Sequence, residues 1–288
     1  MELLNNYSIE EYKDRLLGLF SKFISFCDEF SLGYYCAGGT MLGAVRHHGL
    51  IPWDDDIDLF MMRADYNKLV SLQSELQKIG IGLEGIQCND CFAVFLKIWD
   101  MNTTLWEFEE IPFVYGVYID IFPLDYSDDV QTQFLVKYKK IRRMYLLYQL
   151  SLMKFSLKSI KNRLIQRDYK FVIKDLLSLF VPRLLKGVIR KLLLEEDYAN
   201  QQSKGRFLAS YYGDYWEREY LQKEWFEDFI IVDFEHLKVK IPKGYDGYLS
   251  QIYHDYMTLP PKEKQISHHY HYFLDLNHHF CIEQLKLI

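Results

Sequence analysis

The sequence predicts an α+β protein, with a mixed-sheet core, flanking helices and a helical insert. Three observations carry this. Apolar residues near the N-terminus recur with helical period, short apolar and alternating runs follow, and a long stretch beyond residue 130 turns helical and basic. With 288 residues, 49% of them hydrophobic, including 23 Tyr and 20 Phe, the chain is long enough to bury a large core. We expect one domain, 1–288, containing a basic helical insert at 131–204.

Ser8-Ile9-Glu10-Glu11 has the form of a capping box, and Leu16, Leu17, Phe20, Phe23, Ile24 and Cys27 repeat with helical period. Residues 8–31 therefore read as an amphipathic helix ending near Gly33. Residues 34–37 form a short strand leading into Gly38-Gly39. A strand over 56–62 follows, then a helix over 63–79 that Gly80 and Gly82 end. Residues 92–99 and 103–108 read as paired strands about Asp100-Met101-Asn102. Residues 115–122 form another strand, stopped by Pro123, with Tyr118, Asp120 and Phe122 on one face. Helical, basic patterns cover 130–150, 156–181 and 183–203, broken near Ser151 and at Pro182. Beyond 205 come strands over 229–232 and 237–241 and a short helix over 245–253.

The stretch from Ala37 to Met62, AGGTMLGAVRHHGLIPWDDDIDLFMM, concentrates the chemistry. Its aspartates run straight into an apolar segment, unlike a solvated acidic patch. On a strand, Asp56 and Asp58 share one face while Asp55 falls on the other. Two neighbouring carboxylates repel unless a cation lies between them, and an oxygen-only face suits Mg²⁺ or Mn²⁺. Gly38-Gly39-Thr40 lets backbone approach a ligand and opens a helical pattern whose free N–H groups can hold a phosphate.

Gly-Gly-Thr-x-Leu-Gly-Ala-x-Arg-His-x-Gly-x-Ile-Pro-Trp-Asp-x-Asp-x-Asp over 38–58 resembles the signature of the LicD family of phosphotransferases, related to the fukutin-type proteins. A second stretch, Tyr253-His-Asp-Tyr-Met-Thr-Leu-Pro-Pro-Lys-Glu-Lys264 followed by His268, resembles that family's closing motif. The resemblance implies a nucleotidyltransferase-like fold. It also implies transfer of phosphocholine or a similar alcohol phosphate from a CDP-linked donor to a hydroxyl of a cell-surface glycan precursor, releasing CMP. In that reading Asp56, Asp58 and Asp120 hold the metal, and Asp120 or Asp54 takes the acceptor's proton. Gly38, Gly39 and Thr40 contact donor phosphate. Arg46 pairs with a phosphate oxygen or buttresses Asp54, and His268 contacts phosphate or glycan. Asp120, flanked by Ile on both sides, is costly to bury without a partner. Asp125 reads as a helix cap and as the fallback carboxylate.

Five scattered cysteines and a lone Cys88-Asn89-Asp90-Cys91 favour free thiols over a zinc site, and with them a reducing compartment. No apolar run approaches the length of a membrane span, so we expect a cytoplasmic protein. The net charge of −6 hides an asymmetry: sixteen Lys/Arg and two Asp at 134–194 give +14, leaving −20 for the remainder. Two readings of the basic helices stay open. They lie on an anionic membrane surface, with Phe171, Leu177 and Phe180 among the apolar contacts, or they cover the sheet and solvate a basic face. The acidic pI and the absence of a glycine-aromatic RNA motif exclude nucleic acid as the expected partner. Two rivals to the transferase remain: a nucleotidyltransferase making an activated sugar or alcohol, and a non-catalytic membrane-surface binding protein.

Overall fold

The computed structural model describes residues 7–88, 91–127, 130–165, 169–266 and 271–287. Helix α1 (Ile9–Glu29) opens on the expected capping box: Ser8 Oγ accepts from the Glu11 N–H, and the Glu11 carboxylate accepts from the Ser8 N–H. Its apolar stripe, with Leu16, Phe20 and Phe23, is buried in the main core. The helix stops short of Gly33 because Ser31, at φ 50°, turns the chain. Next come β1 (Tyr35–Cys36), α2 (Gly38–Arg46), β2 (Asp58–Met62), α3 (Arg63–Ser71) and α4 (Gln73–Lys78). The helix expected over 63–79 is thus two, divided at Leu72, which caps both without a side-chain bond.

Strands β3 (Ile81–Glu84), β4 (Leu96–Asp100), β5 (Thr104–Trp106) and β6 (Tyr118–Ser127) follow. The basic block then forms α5 (Gln131–Leu152), α6 (Leu157–Ile165), α7 (Tyr169–Ser178) and α8 (Lys186–Gln201). The chain returns through β7 (Phe207–Ala209), β8 (Tyr220–Gln222), β9 (Phe229–Phe234) and β10 (Leu237–Pro242), then α9 (Tyr245–Tyr253), β11 (Phe273–Asp275) and α10 (Ile282–Leu285).

Among the described residues the main sheet runs β1-β2-β6-β4-β3, with β7 and β8 continuing from β6. It is mixed: β2 and β6 are parallel, and the other pairs are antiparallel. This is the α+β architecture the sequence predicts. Strand β6 is its axis, and it runs on through Pro123 rather than stopping there. Strand β4 pairs with β6 only up to Ile121, and β7 begins at Asp125. Pro123 sits in the gap, where a missing N–H interrupts neither of those ladders. The hairpin expected between 92–99 and 103–108 does not form. Both edges of β4 are taken, by β3 and β6, so β5 turns away and pairs with β11.

A second core lies under the basic helices, where Phe134, Tyr138 and Ile141 of α5 meet Ile189 and Leu193 of α8 and Tyr211. A buried ionic cluster joins this layer to the sheet. Arg63 grips Asp125 of β6 with two bonds (2.6 and 2.7 Å) and reaches Asp197 of α8 at 3.1 Å. Asp125 is therefore neither a helix cap nor a spare catalytic carboxylate; it is the sheet's half of a structural ion pair. Phe171 is not a surface contact either, since its ring stacks on Phe108 with centroids 4.7 Å apart.

Candidate active site

The parallel ladder between β2 and β6 makes the site. Asp58 and Asp120 are direct Cα partners across it, and the Asp120 N–H donates to the Ile57 carbonyl just before β2 (3.0 Å). The strand begins at Asp58 rather than at residue 56, so Asp56 stands on the extended lead-in. The alternation still holds around it: Ile57 is fully buried, while Asp56 and Asp58 line the same openings. Asp55 is buried and lines neither. Its charge, after burial itself, is the foremost of those that raise the Tyr12 hydroxyl pKa, which places it toward α1.

Two adjoining cavities share a wall built from Asp56, Asp58, Asp214 and Tyr215. The smaller, about 340 Å³, also takes in Asp120 and Gly38. The larger, about 540 Å³, takes in Gly39, Arg46 and Asp54, together with Tyr253, Tyr256, Thr258 and Pro260 of the closing motif. The two stretches singled out in the sequence, at opposite ends of the chain, thus meet at one place. His268, the remaining residue of that set, lies outside the described residues.

Gly38 adopts φ +47° as the first residue of α2, and its N–H donates to the Tyr248 hydroxyl (3.2 Å). A Cβ there would be strained and would touch Asp58 Oδ2 at 3.4 Å. Thr40 is buried and lines neither cavity. Its hydroxyl accepts from the Asp58 N–H (2.8 Å), so it fixes the start of β2. Arg46 donates to the Tyr256 carbonyl (2.7 Å), tying α2 to the closing motif while it lines the larger cavity.

Lys97 is the residue that sequence reasoning missed. On β4 it is the Cα partner of Asp120, with Nζ 2.7 Å from Asp120 Oδ1 and 2.9 Å from the Tyr118 ring centroid. The signal was present: a lysine inside Val94-Phe-Leu-Lys-Ile98 is as costly to bury alone as Asp120. The basic helices also contribute more than cover, for Arg142, Tyr145 and Gln149 of α5 and Lys174 of α7 line the smaller cavity.

Asp56, Asp58 and Asp120 offer only oxygen ligands, the donor chemistry of Mg²⁺ or Mn²⁺. Among the described residues no three His, Cys, Asp or Glu side chains gather closely enough to hold a metal ion unaided. The wall accordingly fits an ion held by one or two carboxylates and completed by substrate phosphate oxygens, rather than a closed protein cage. None of the five cysteines is in a disulfide, and no described helix is long and apolar enough to cross a membrane.

Comparison with known proteins agrees with this geometry. Residues 31–161 match the family described as LicD/FKTN/FKRP, nucleotidyltransferase domain. The match begins just ahead of β1 and ends within α6, so it includes both strands of the aspartate ladder. The chain is 29% identical over 272 residues to the lipopolysaccharide cholinephosphotransferase LicD of Haemophilus influenzae, covering 92% of this chain and 97% of that protein. It is also 31% identical over 117 residues to an uncharacterised protein of Rickettsia typhi, 38% of this chain and 34% of that one.

Proposed function

We propose that the chain, which matches the LicD/FKTN/FKRP family over 31–161, is a metal-dependent phosphotransferase of the LicD type. It moves an alcohol phosphate, phosphocholine as in the Haemophilus relative, from a CDP-linked donor to a hydroxyl of a cell-surface glycan precursor, releasing CMP. The observation that carries this is the Asp58–Asp120 pair, set opposite one another with Asp56 on a wall shared by two cavities. A transfer between two substrates needs such a wall, because donor and acceptor must reach one phosphorus atom from different sides.

One or two of Asp56, Asp58 and Asp120, completed by donor phosphate oxygens, would hold Mg²⁺ or Mn²⁺, which when bound neutralises charge on the phosphate oxygens and the departing CMP. The remaining work falls to the chain itself. Gly39, at the opening of α2, lines the larger cavity with Asp54, Asp56 and Asp58, where the start of a helix suits a phosphate oxygen. Arg46 is anchored through Nη1 at the Tyr256 carbonyl and through Nε at His47 Nε2 (3.0 Å), and it lines the larger cavity, where Nη2 can meet a phosphate oxygen. Asp54 borders that cavity, whereas Asp120 borders the smaller one in a salt bridge with Lys97. We therefore assign Asp54 to take the proton from an acceptor hydroxyl that enters the larger cavity.

The test is a donor comparison. With a glycan acceptor and Mg²⁺, CDP-choline should yield CMP and labelled glycan. If CTP and phosphocholine instead yield pyrophosphate and CDP-choline, the chain is a nucleotidyltransferase and this reading falls.

A further inference from the structure

Two buried groups on the smaller cavity have no part in the scheme above. Glu219 is 2% exposed, and its Oε1 accepts from the Tyr215 N–H (3.2 Å). Its Oε2 has no hydrogen-bond partner among the described residues, and neither has the Oγ of Ser210, which is fully buried. Both side chains line the cavity. Gly213 makes room for the carboxyl, since a Cβ at that position would collide with both of its oxygens. Burial raises the Glu219 pKa to about 8, countered in part by the Tyr215 N–H and increased by the charge of Asp214. A carboxyl held in this way, with one oxygen unpaired, costs stability unless a ligand completes it.

The rest of the lining states what kind of ligand fits. Phe95, Phe122, Tyr145, Tyr212, Tyr215 and Tyr248 supply aromatic surface. The acidic lining groups are Asp56, Asp58, Asp120, Asp214 and Glu219, against only Arg142 and Lys174. Arg142 is itself 2.5 Å from Asp214. With Asp56 and Asp58 facing the metal, Asp120 bridged to Lys97 and Asp214 to Arg142, Glu219 is the acidic lining group left to an organic cation, which gains also from the ring quadrupoles.

We infer that the smaller cavity binds the ammonium headgroup of the transferred alcohol phosphate, with Glu219 releasing its proton to solvent as the cation enters and so supplying the counter-charge, and Tyr145 and Tyr215 the aromatic faces. This rests on the CDP-linked phosphotransferase reading above. The headgroup enters between α5 and the 210–219 segment, while its phosphate stays at the aspartate wall. The basic helical layer is thereby part of the specificity site, through Tyr145.

The experiment is calorimetric titration of the full chain with CDP-choline and with CDP-glycerol, whose headgroup is neutral, in Mg²⁺ buffer. Glu219→Gln keeps the shape and removes the charge, and should lower the affinity ratio of CDP-choline over CDP-glycerol roughly tenfold. Tyr145→Leu, at a half-buried position, should lower it roughly threefold or more. If Glu219→Gln loses its cooperative melting transition, the Tyr145→Leu ratio decides. A wild-type chain that binds both nucleotides, with a ratio that neither variant moves, overturns this inference alone. A wild-type chain that binds neither overturns the phosphotransferase reading together with it.

Discussion

Replacing Arg63 with alanine should destabilise the protein by about 3–5 kcal/mol at pH 7. The magnitude follows from which partners are left behind. Asp197 keeps three donors, from Gln87 (3.0 Å), Gln201 (3.2 Å) and the Tyr212 hydroxyl (2.9 Å). Asp125, 1% exposed, loses its two bonds to the guanidinium and is left as a charge in the core. Burial alone would disfavour the Arg63 charge, and Asp125 more than reverses this, so the pair acts as a unit. The assay is urea denaturation of wild type, Arg63→Ala, Asp125→Asn and the double variant. The double variant should lose much less than the sum of the two single ones, because no carboxylate remains at 125 to be stranded and Asp197 keeps its three neutral donors. The Arg63→Ala deficit should also shrink toward pH 5, where a stranded carboxylate can take up a proton. A deficit below about 1 kcal/mol, or additive losses, would refute a central role for this cluster.

Three further outcomes are expected. Asp58→Asn and Asp56→Asn should each abolish transfer with little change in melting temperature, whereas Asp55→Asn, outside both cavities, should keep most activity; an Asp55→Asn loss as deep as the others would sink the assignment of faces. Wild-type stability should fall as pH rises from about 4.5 to about 8, because the folded state holds the Glu219 proton that the unfolded chain releases. Glu219→Gln should flatten that slope, and parallel pH profiles in thermal melts would contradict it. The helical layer leaves Phe180 79% and Leu184 93% exposed beside exposed Lys161, Lys170 and Lys191. The protein should therefore sediment with anionic but not neutral vesicles at low salt, at about 1 kcal/mol for each lysine facing the surface. Reversing those three charges should release it, and no binding at low ionic strength would leave these helices as a covering layer alone.

The parts of this molecule visible in its sequence are those set by local rules. The α1 cap, α9 and the β9–β10 pair follow from capping chemistry and apolar periodicity. The aspartate wall was legible because carboxylates among apolar residues demand a partner. What local rules did not reach was competition for strand edges. Whether β5 pairs with β4 depends on β3 and β6 having already claimed it, and whether Pro123 stops a strand depends on where its neighbours end. For the same reason Asp125 looked like a cap: its partner, Arg63 on α3, lies 62 residues before it, and that arginine also reaches Asp197 of α8, 72 residues after it. The smaller cavity is built from separate stretches spread between residues 37 and 248, so only the folded arrangement brings Glu219 and Asp58 to one wall.

Because Asp58 and Asp120 are fixed in one ladder, their separation is a property of backbone hydrogen bonding, at the roughly 4.8 Å spacing of adjacent strands. It works as a caliper that no side-chain exchange elsewhere can open or close. The surfaces facing it are of another kind, made of α5, the 210–219 segment and the turn after α9. Relatives could exchange those surfaces freely to carry different cargo while the caliper stays set. An engineer seeking a new transferred group should therefore randomise Tyr145, Ser210 and Glu219 and leave 57–62 and 118–124 untouched.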